Sequence, residues 1–185
     1  MSRKTTKPVR RRATPRTVSG ETYADFMARA YAMELEAVER YTQFAEQLDT
    51  HNNREVAEMF RKLARVEGLH AKRILEEMRW PSLPVLPAAF AWQTAEGPET
   101  APYDAMHYLM QPYHALEIAL NCELQAQEYF ERIAASKAPR RVRATAADMA
   151  REEGEHVRLI QEWMAKVPKP AAGWDQDPDP PQVTG

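Results

Sequence analysis

Arg151–His156 has the sequence Arg-Glu-Glu-Gly-Glu-His, and Val66–His70 has the sequence Val-Glu-Gly-Leu-His. Each stretch contains a Glu followed three residues later by a His. On an α-helix this spacing places a carboxylate and an imidazole on the same face, about one turn apart. One such pair is common on a solvated helix face. Two pairs about 86 residues apart, each in the middle of an apolar stripe, predict two helices that face one another.

The composition indicates one helical domain with tails. The chain has 185 residues, 6 glycines, 9 methionines and a net charge of −2, and Cys122 is its only cysteine. Scarce glycine with abundant Ala, Glu and Arg favours helix over sheet. No apolar run approaches the ~20 residues of a membrane span, and the N-terminus lacks the apolar core of a secretory signal. We therefore expect a cytoplasmic protein without disulfides and with no nucleic-acid or membrane partner.

Four amphipathic helices are predicted, at about residues 22–49, 53–79, 112–136 and 139–166. Thr22 and Asp25 resemble a capping box at the start of the first helix, and Pro81 stops the second. Residues 80–103 contain five prolines, and this connection is long enough to cross a ~25-residue helix, roughly 37 Å at 1.5 Å per residue. Residues 104–110 are expected to form a short helix.

An internal repeat relates the two halves of the chain. Residues 34–41 have the sequence ELEAVERY, residues 123–130 have the sequence ELQAQEYF, and a Glu-x-x-His follows each about 30 residues later. Two helical hairpins of the same plan predict an all-α, antiparallel four-helix bundle at residues 21–167, with a long crossover between helices two and three. We expect a disordered basic arm at residues 1–20 and a disordered Pro- and Asp-rich tail at residues 168–185.

Six polar residues interrupt the apolar stripes near mid-height of the four helices. A bundle places them in one layer of its core, where four carboxylates without compensation would be very unfavourable. Two divalent metal ions balance the four negative charges, and a mixed O and N ligand set suits iron or manganese better than zinc. The alternative is a salt-bridged surface of Glu and His. The six candidate metal ligands are Glu34, Glu67, His70, Glu123, Glu153 and His156.

The pattern resembles the ferritin-like di-iron carboxylate superfamily, and within it the rubrerythrin-type proteins. One Glu from each of two helices with a Glu-x-x-His from each of the other two is typical of that superfamily. Residues 34–45, ELEAVERYTQFA, are similar to the first helix of a rubrerythrin. The resemblance covers about residues 22–166. It implies a cofactor of two iron ions, with manganese possible, held by the six residues above. It implies catalytic roles for Glu34, Glu67, Glu123 and Glu153, and it leaves open which carboxylates bridge the ions.

Two departures from the rubrerythrin pattern bear on the reaction. Rubrerythrins carry a second carboxylate three residues after the first on the third helix, where this chain has Ala126. They also carry a Cys₄ rubredoxin domain, which one cysteine cannot supply. The resemblance therefore implies that electrons come from a separate donor.

The function implied by the resemblance is that of a di-iron oxidoreductase. Such a protein reduces hydrogen peroxide or dioxygen while it oxidises ferrous iron or a reduced partner. A di-metal hydroxylase or a manganese catalase would use the same site, and a non-catalytic iron-binding or storage module is a further alternative. We expect a homodimer, formed through apolar surface on the helices or on residues 80–103.

Other polar residues receive structural interpretations. Tyr41 lies two turns from Glu34 and is interpreted as core packing, with electron relay as the alternative. Cys122 is interpreted as a small buried side chain. His51, His107 and His114 have no partner at ligand spacing and are expected on the surface or in loops.

Overall fold

A computed structural model describes residues 22–81 and 97–177 of the chain. Within these ranges the regular structure consists of four long helices and one short 3₁₀ turn, without a strand, which confirms the all-α bundle. Each predicted helix has the observed bounds to within about two residues. The predicted basic arm, most of the crossover and residues 178–185 lie outside the described residues. The helices are α1 Tyr23–Thr50, α2 Arg54–Met78, α3 Pro112–Ala134 and α4 Arg140–Met164.

The ends of the helices follow local sequence signals. At the start of α1 the Thr22 hydroxyl accepts a hydrogen bond from the Asp25 amide (3.1 Å), and the Asp25 carboxylate accepts one from the Thr22 amide (3.0 Å). This reciprocal pair confirms the predicted capping box. The helix predicted at residues 104–110 is wrong. Only Tyr103–Ala105 form a 3₁₀ turn, because Met106 adopts an extended backbone that ends it.

Two antiparallel hairpins, α1–α2 and α3–α4, make up the bundle, as the short connections within each hairpin require. The side chain of Asn53, at the start of α2, donates a hydrogen bond to the Met110 carbonyl just before α3 (2.6 Å). The starts of α2 and α3 therefore lie at the same end of the bundle. The connection between them must return along the full length of the bundle, which confirms the long crossover.

The apolar core is divided into two clusters by a polar layer. One cluster contains large buried side chains from the C-terminal half of α1, including Tyr41, Phe44 and Leu48. The other contains Phe26 and Met33 from its N-terminal half. The division falls at the same height in all four helices, at the level of the predicted metal ligands.

The chain packs against the bundle beyond the predicted boundary at residue 167. The ring of Trp174 lies 3.7 Å from that of His114, and the Tyr108 hydroxyl donates to the Asp177 carboxylate. The part of the chain that packs on the bundle thus extends to Asp177. The ring of Trp174, in the Pro-rich segment, packs against the apolar core at this end of the bundle. His114 is buried beneath it, so its expected place on the surface is wrong.

Each of the four helices has one apolar face and one polar face. Charged side chains recur along the outer face of every helix, as is usual for a helix packed on one side. None of the helices in the described ranges is both long and apolar enough to cross a membrane.

Candidate metal centre

The six predicted ligands meet in the polar layer between the two core clusters. All four carboxylate residues are buried, with exposures of 1–4%, while the imidazoles of His70 and His156 keep 17% and 20% of their side chains exposed. The structure therefore brings the predicted residues together at one height. Their role as ligands stays a prediction.

One half of the layer comes from the first hairpin. In α2, Glu67 and His70 lie one turn apart, and the His70 Nδ1 atom is 3.3 Å from a Glu67 carboxylate oxygen. The same nitrogen is 3.6 Å from an oxygen of Glu34 on α1. Helical spacing thus fixes one carboxylate against the imidazole, and the packing of α1 on α2 adds the second.

The second hairpin builds the other half on the same plan. The Nδ1 atom of His156 is 2.9 Å from a carboxylate oxygen of Glu153, one turn away on α4. It is 3.3 Å from an oxygen of Glu123 on α3. The sequence repeat therefore corresponds to two half-sites of equal composition, each with two carboxylates and one imidazole.

The two half-sites adjoin each other through their imidazoles. The rings of His70 and His156 are stacked, with centroids 4.7 Å apart and an angle of 7° between their planes. On the outer surface beside them, Arg73 of α2 forms an ion pair with Glu152 of α4. Because the two imidazoles are in contact, the two potential ion sites lie side by side and form one centre.

The donor atoms of each half-site fit a metal ion. With metal–ligand bonds of about 2.1 Å, two atoms that share an ion lie within roughly 4.2 Å of each other, and the measured separations of 2.9–3.6 Å meet this limit. Among the described residues, the one donor near a buried oxygen of Glu34 and one of Glu67 is the His70 Nδ1 atom, 3.6 and 3.3 Å away. Buried acceptors that share one distant donor are costly, and a cation would satisfy them. The mixed carboxylate and imidazole set suits iron or manganese.

Burial changes the protonation of the layer. Burial raises the pKa of Glu34 to about 7 and that of Glu123 to about 8. For both histidines burial acts to lower the pKa, but the adjacent carboxylates outweigh it and raise the pKa of His70 and His156 to about 10. Protons thus partly offset the clustered negative charge when no metal is bound.

We expect the stability of metal-depleted protein to fall as the pH rises from about 5 to about 10. The four shifted pKa values lie above the ordinary values of 4.5 for Glu and 6.5 for His. The folded state therefore holds more protons than the unfolded chain across this window, and it loses that advantage as the protons dissociate. Thermal unfolding with a chelator between pH 5.5 and pH 9 measures the effect. A melting temperature that rises with pH would contradict it.

Glu99 is a polar residue at the layer that sequence reasoning missed. It follows Pro98 in the connection before α3, and it is 1% exposed. One of its carboxylate oxygens lies within 4.8 Å of carboxylate oxygens of both Glu67 and Glu123. Burial raises its pKa well above the ordinary value. The connection has no helical periodicity, so no pattern in the sequence marks this position.

The neighbouring residues of the layer are packed as predicted. Tyr41 is fully buried with its ring stacked on that of Phe60 at 5.7 Å, which fits core packing. Cys122 is buried as well, and burial raises the pKa of its thiol to about 12. Ala126, where rubrerythrins carry a second carboxylate, lies in the apolar cluster. Helix α3 thus offers one carboxylate to the layer.

Comparisons with known proteins found a family model and a solved structure that are similar to this chain. A family model described as Rubrerythrin matches residues 25–85, which include the half-site of Glu34, Glu67 and His70. Among solved structures, an uncharacterized conserved protein from Magnetospirillum magnetotacticum MS-1 is 39% identical, with a TM-score of 0.60. The match covers 82% of this chain and 99% of that chain. No curated protein matches the chain.

Proposed function

We propose, because this chain belongs to the rubrerythrin family of ferritin-like proteins, that it is a di-iron oxidoreductase. Its reaction is the reduction of hydrogen peroxide or dioxygen, coupled to the oxidation of ferrous iron or of a reduced partner. The observation that carries the proposal is the pair of adjoining half-sites, in which buried carboxylates and imidazoles face one another. The same donor set also accepts manganese.

The protein residues supply charge balance and orientation. Glu34, Glu67, Glu123 and Glu153 would hold the two ions, since their four negative charges match the four positive charges of two ferrous ions. The Nδ1 atoms of His70 and His156 complete the two halves. Because the carboxylates are buried in a medium of low dielectric constant, their attraction for cations is stronger than it would be in water.

The core clusters favour a small oxidant. Fully buried side chains pack on both sides of the layer, among them Met33 towards one end and Tyr41 towards the other. Such close packing excludes bulk water and leaves the partly exposed imidazole edges as the open side of the layer. Peroxide and dioxygen fit this description better than a large organic substrate, which argues against a hydroxylase.

The reduction of peroxide requires a source of electrons. Reduction of one hydrogen peroxide to two waters takes two electrons and two protons, and two ferrous ions held by the carboxylates and imidazoles of the layer would supply the two electrons. The chain has one cysteine, which cannot form a Cys₄ iron site. We therefore propose that Fe²⁺ itself or a separate reduced partner restores the electrons. We also propose a cytosolic location, where the thiol of Cys122 stays reduced.

Rapid mixing of the reduced, iron-loaded protein with peroxide or with dioxygen tests the function. We expect the absorbance of oxidised iron to appear faster than for the same Fe²⁺ in buffer, with two ferrous ions oxidised per peroxide. Oxygen evolution from peroxide by manganese-loaded protein would instead indicate a catalase. Oxidation no faster than in buffer would contradict the proposal and favour a storage module.

We expect the protein to form a homodimer through an apolar face formed by α2 and α4. Among the described residues six large apolar side chains are exposed, and four of them belong to these two helices, namely Val66, Leu69, Leu159 and Trp163. Exposed apolar patches of this kind mark contact surfaces. Light scattering is expected to give the mass of a dimer for the wild type and of a monomer for Leu69→Glu. The matched substitution Leu124→Glu, on α3, should leave the dimer intact, and equal behaviour of the two variants would rule out this face.

A further inference from the structure

The carboxylate of Glu99 is buried, and among the described residues it has no hydrogen-bonding partner. Neither of its oxygens accepts or donates a hydrogen bond within this part of the chain, although the residue is 1% exposed. A buried carboxylate in this condition is costly, whether it carries a charge or a proton, because a protonated acid still has a hydroxyl donor to satisfy. The described residues around Glu99 therefore do not offset the cost of burying its carboxylate.

The segment that carries Glu99 is fixed to α1 by two side chains. The Glu36 carboxylate accepts hydrogen bonds from the Gly97 amide (3.0 Å) and the Thr100 hydroxyl (3.3 Å). One turn further along α1, the Arg40 guanidinium donates to the Ala101 carbonyl. Contacts on both sides of residue 99 thus hold it in the core.

A second contact of Arg40 strengthens this attachment. Its guanidinium lies 3.4 Å from the centre of the Tyr103 ring, and the residue is 5% exposed. A buried cation over an aromatic face is a favourable contact. The attachment therefore combines buried contacts of Arg40 with part-buried hydrogen bonds of Glu36, and it holds the segment of Glu99 beside the layer.

The unpartnered carboxylate points at the metal ligands. An oxygen of Glu99 groups with one from Glu67 and one from Glu123, all within 4.8 Å. Glu67 belongs to the half-site of the first hairpin and Glu123 to that of the second. Glu99 is therefore placed between the two half-sites, at the point where a carboxylate can contact both.

We propose that Glu99 is a fifth carboxylate ligand of the metal centre, supplied by the connection before α3 and placed between its two halves. The inference depends on the proposed metal centre. Five carboxylates carry five negative charges, which exceed the four positive charges of two ferrous ions but not the six of two ferric ions. Glu99 therefore strengthens iron binding and favours the oxidised state.

The substitution Glu99→Gln tests this role, with Glu39→Gln on the exposed face of α1 as the matched control. Both variants keep the side-chain volume and remove one negative charge. Anaerobic Fe²⁺ titration is expected to show affinity lowered at least about tenfold in Glu99→Gln, by comparison with the 10–100-fold cost of losing supporting groups. The reduction potential of the bound iron should rise, and the control should match the wild type in both measurements.

The melting temperature of metal-depleted protein is the second measurement. We expect it to be higher in Glu99→Gln than in the wild type, because the uncharged amide does not repel the carboxylates of Glu67 and Glu123 and its N–H groups can donate to them. Wild-type affinity and potential in Glu99→Gln, or a lower melting temperature, would overturn the inference. Failure of the wild type itself to bind iron would instead overturn the proposed function, so the two failures are distinguishable.

Discussion

Replacing Glu67 by glutamine is expected to lower the bound iron from two ions per chain to one or fewer. Glu67 lies 3.3 Å from the His70 Nδ1 atom and also groups with Glu99 and Glu123, so it serves both halves of the centre. The amide keeps the volume of the side chain but lacks its charge. Because loss of a supporting group alone costs 10–100-fold, we expect iron affinity to fall by at least about a hundredfold and oxidation by peroxide to slow accordingly.

Iron analysis after anaerobic reconstitution and desalting measures the effect of Glu67→Gln. Circular dichroism should show unchanged helix content, which separates loss of metal from loss of fold. Glu39→Gln, on the exposed side of α1, provides the control and is expected to retain two ions. Full iron content in Glu67→Gln would remove this residue from the ligand set.

Removal of the metal is expected to cause the largest change in stability. Four buried carboxylates lose their compensating cations, and the free energy of unfolding loses the contribution of ion binding. At a free metal concentration of 100 Kd each site contributes about 2.7 kcal/mol. Two sites then correspond to a fall in Tm of roughly 10–20 °C, at about 2–4 °C per kcal/mol for a domain of this size. Calorimetry of loaded and chelator-treated protein measures the difference.

The double variant Glu34→Gln, Glu123→Gln tests whether the stability gained from metal depends on the buried carboxylates. Each residue supplies one of the two carboxylates beside the imidazole of its half-site, so the variant leaves each half-site with one. We expect the double variant to gain little stability on addition of iron, unlike the wild type. Equal responses to iron in the two proteins would show that the stabilisation arises elsewhere.

The helices and the six-residue layer could be predicted because both depend on periodicity. Apolar stripes with a 3.6-residue period define the inner face of each helix, and a polar residue within a stripe, such as Glu123, must then be buried. Thr22 with Asp25 marks a helix start by purely local chemistry. Helical spacing alone also places His156 beside Glu153, since both belong to the same turn of α4.

Residues outside the helices escaped prediction because their positions depend on distant contacts. In the described part of the chain, Glu36 and Arg40 hold the segment of Glu99 against α1, and they bond to it across 61 positions of sequence. Their i, i+4 spacing is typical of a solvated pair on a helix surface, so the sequence gives no reason to bury Arg40.

The C-terminal segment shows the same limit. Pro-rich composition suggests a solvated tail, yet in its described part Trp174 and Asp177 attach it to the bundle. Trp174 lies against His107 and His114 near the start of α3. Composition describes the average tendency of a segment, and a single large side chain that fits an open end of the core can override it.

The polar layer has a cost in stability that bound metal ions would offset. It interrupts the apolar core at mid-height in all four helices, where Leu or Phe would stabilise the bundle more. Charges in such positions are retained when they are paired or bound to ions. The polar layer that divides the core is therefore what the proposed function requires, because two metal ions need buried charged ligands at one height.

The iron content of the full chain tests the metal centre most directly. Metal-depleted protein is reconstituted with Fe²⁺ under anaerobic conditions, separated from free metal, and analysed for iron per chain. Mössbauer spectra of the same sample after exposure to peroxide report whether the ions are coupled. We predict two iron ions per chain that oxidise together as a coupled pair. Fewer than one ion per chain, with no increase on further addition of Fe²⁺, would contradict the di-iron centre.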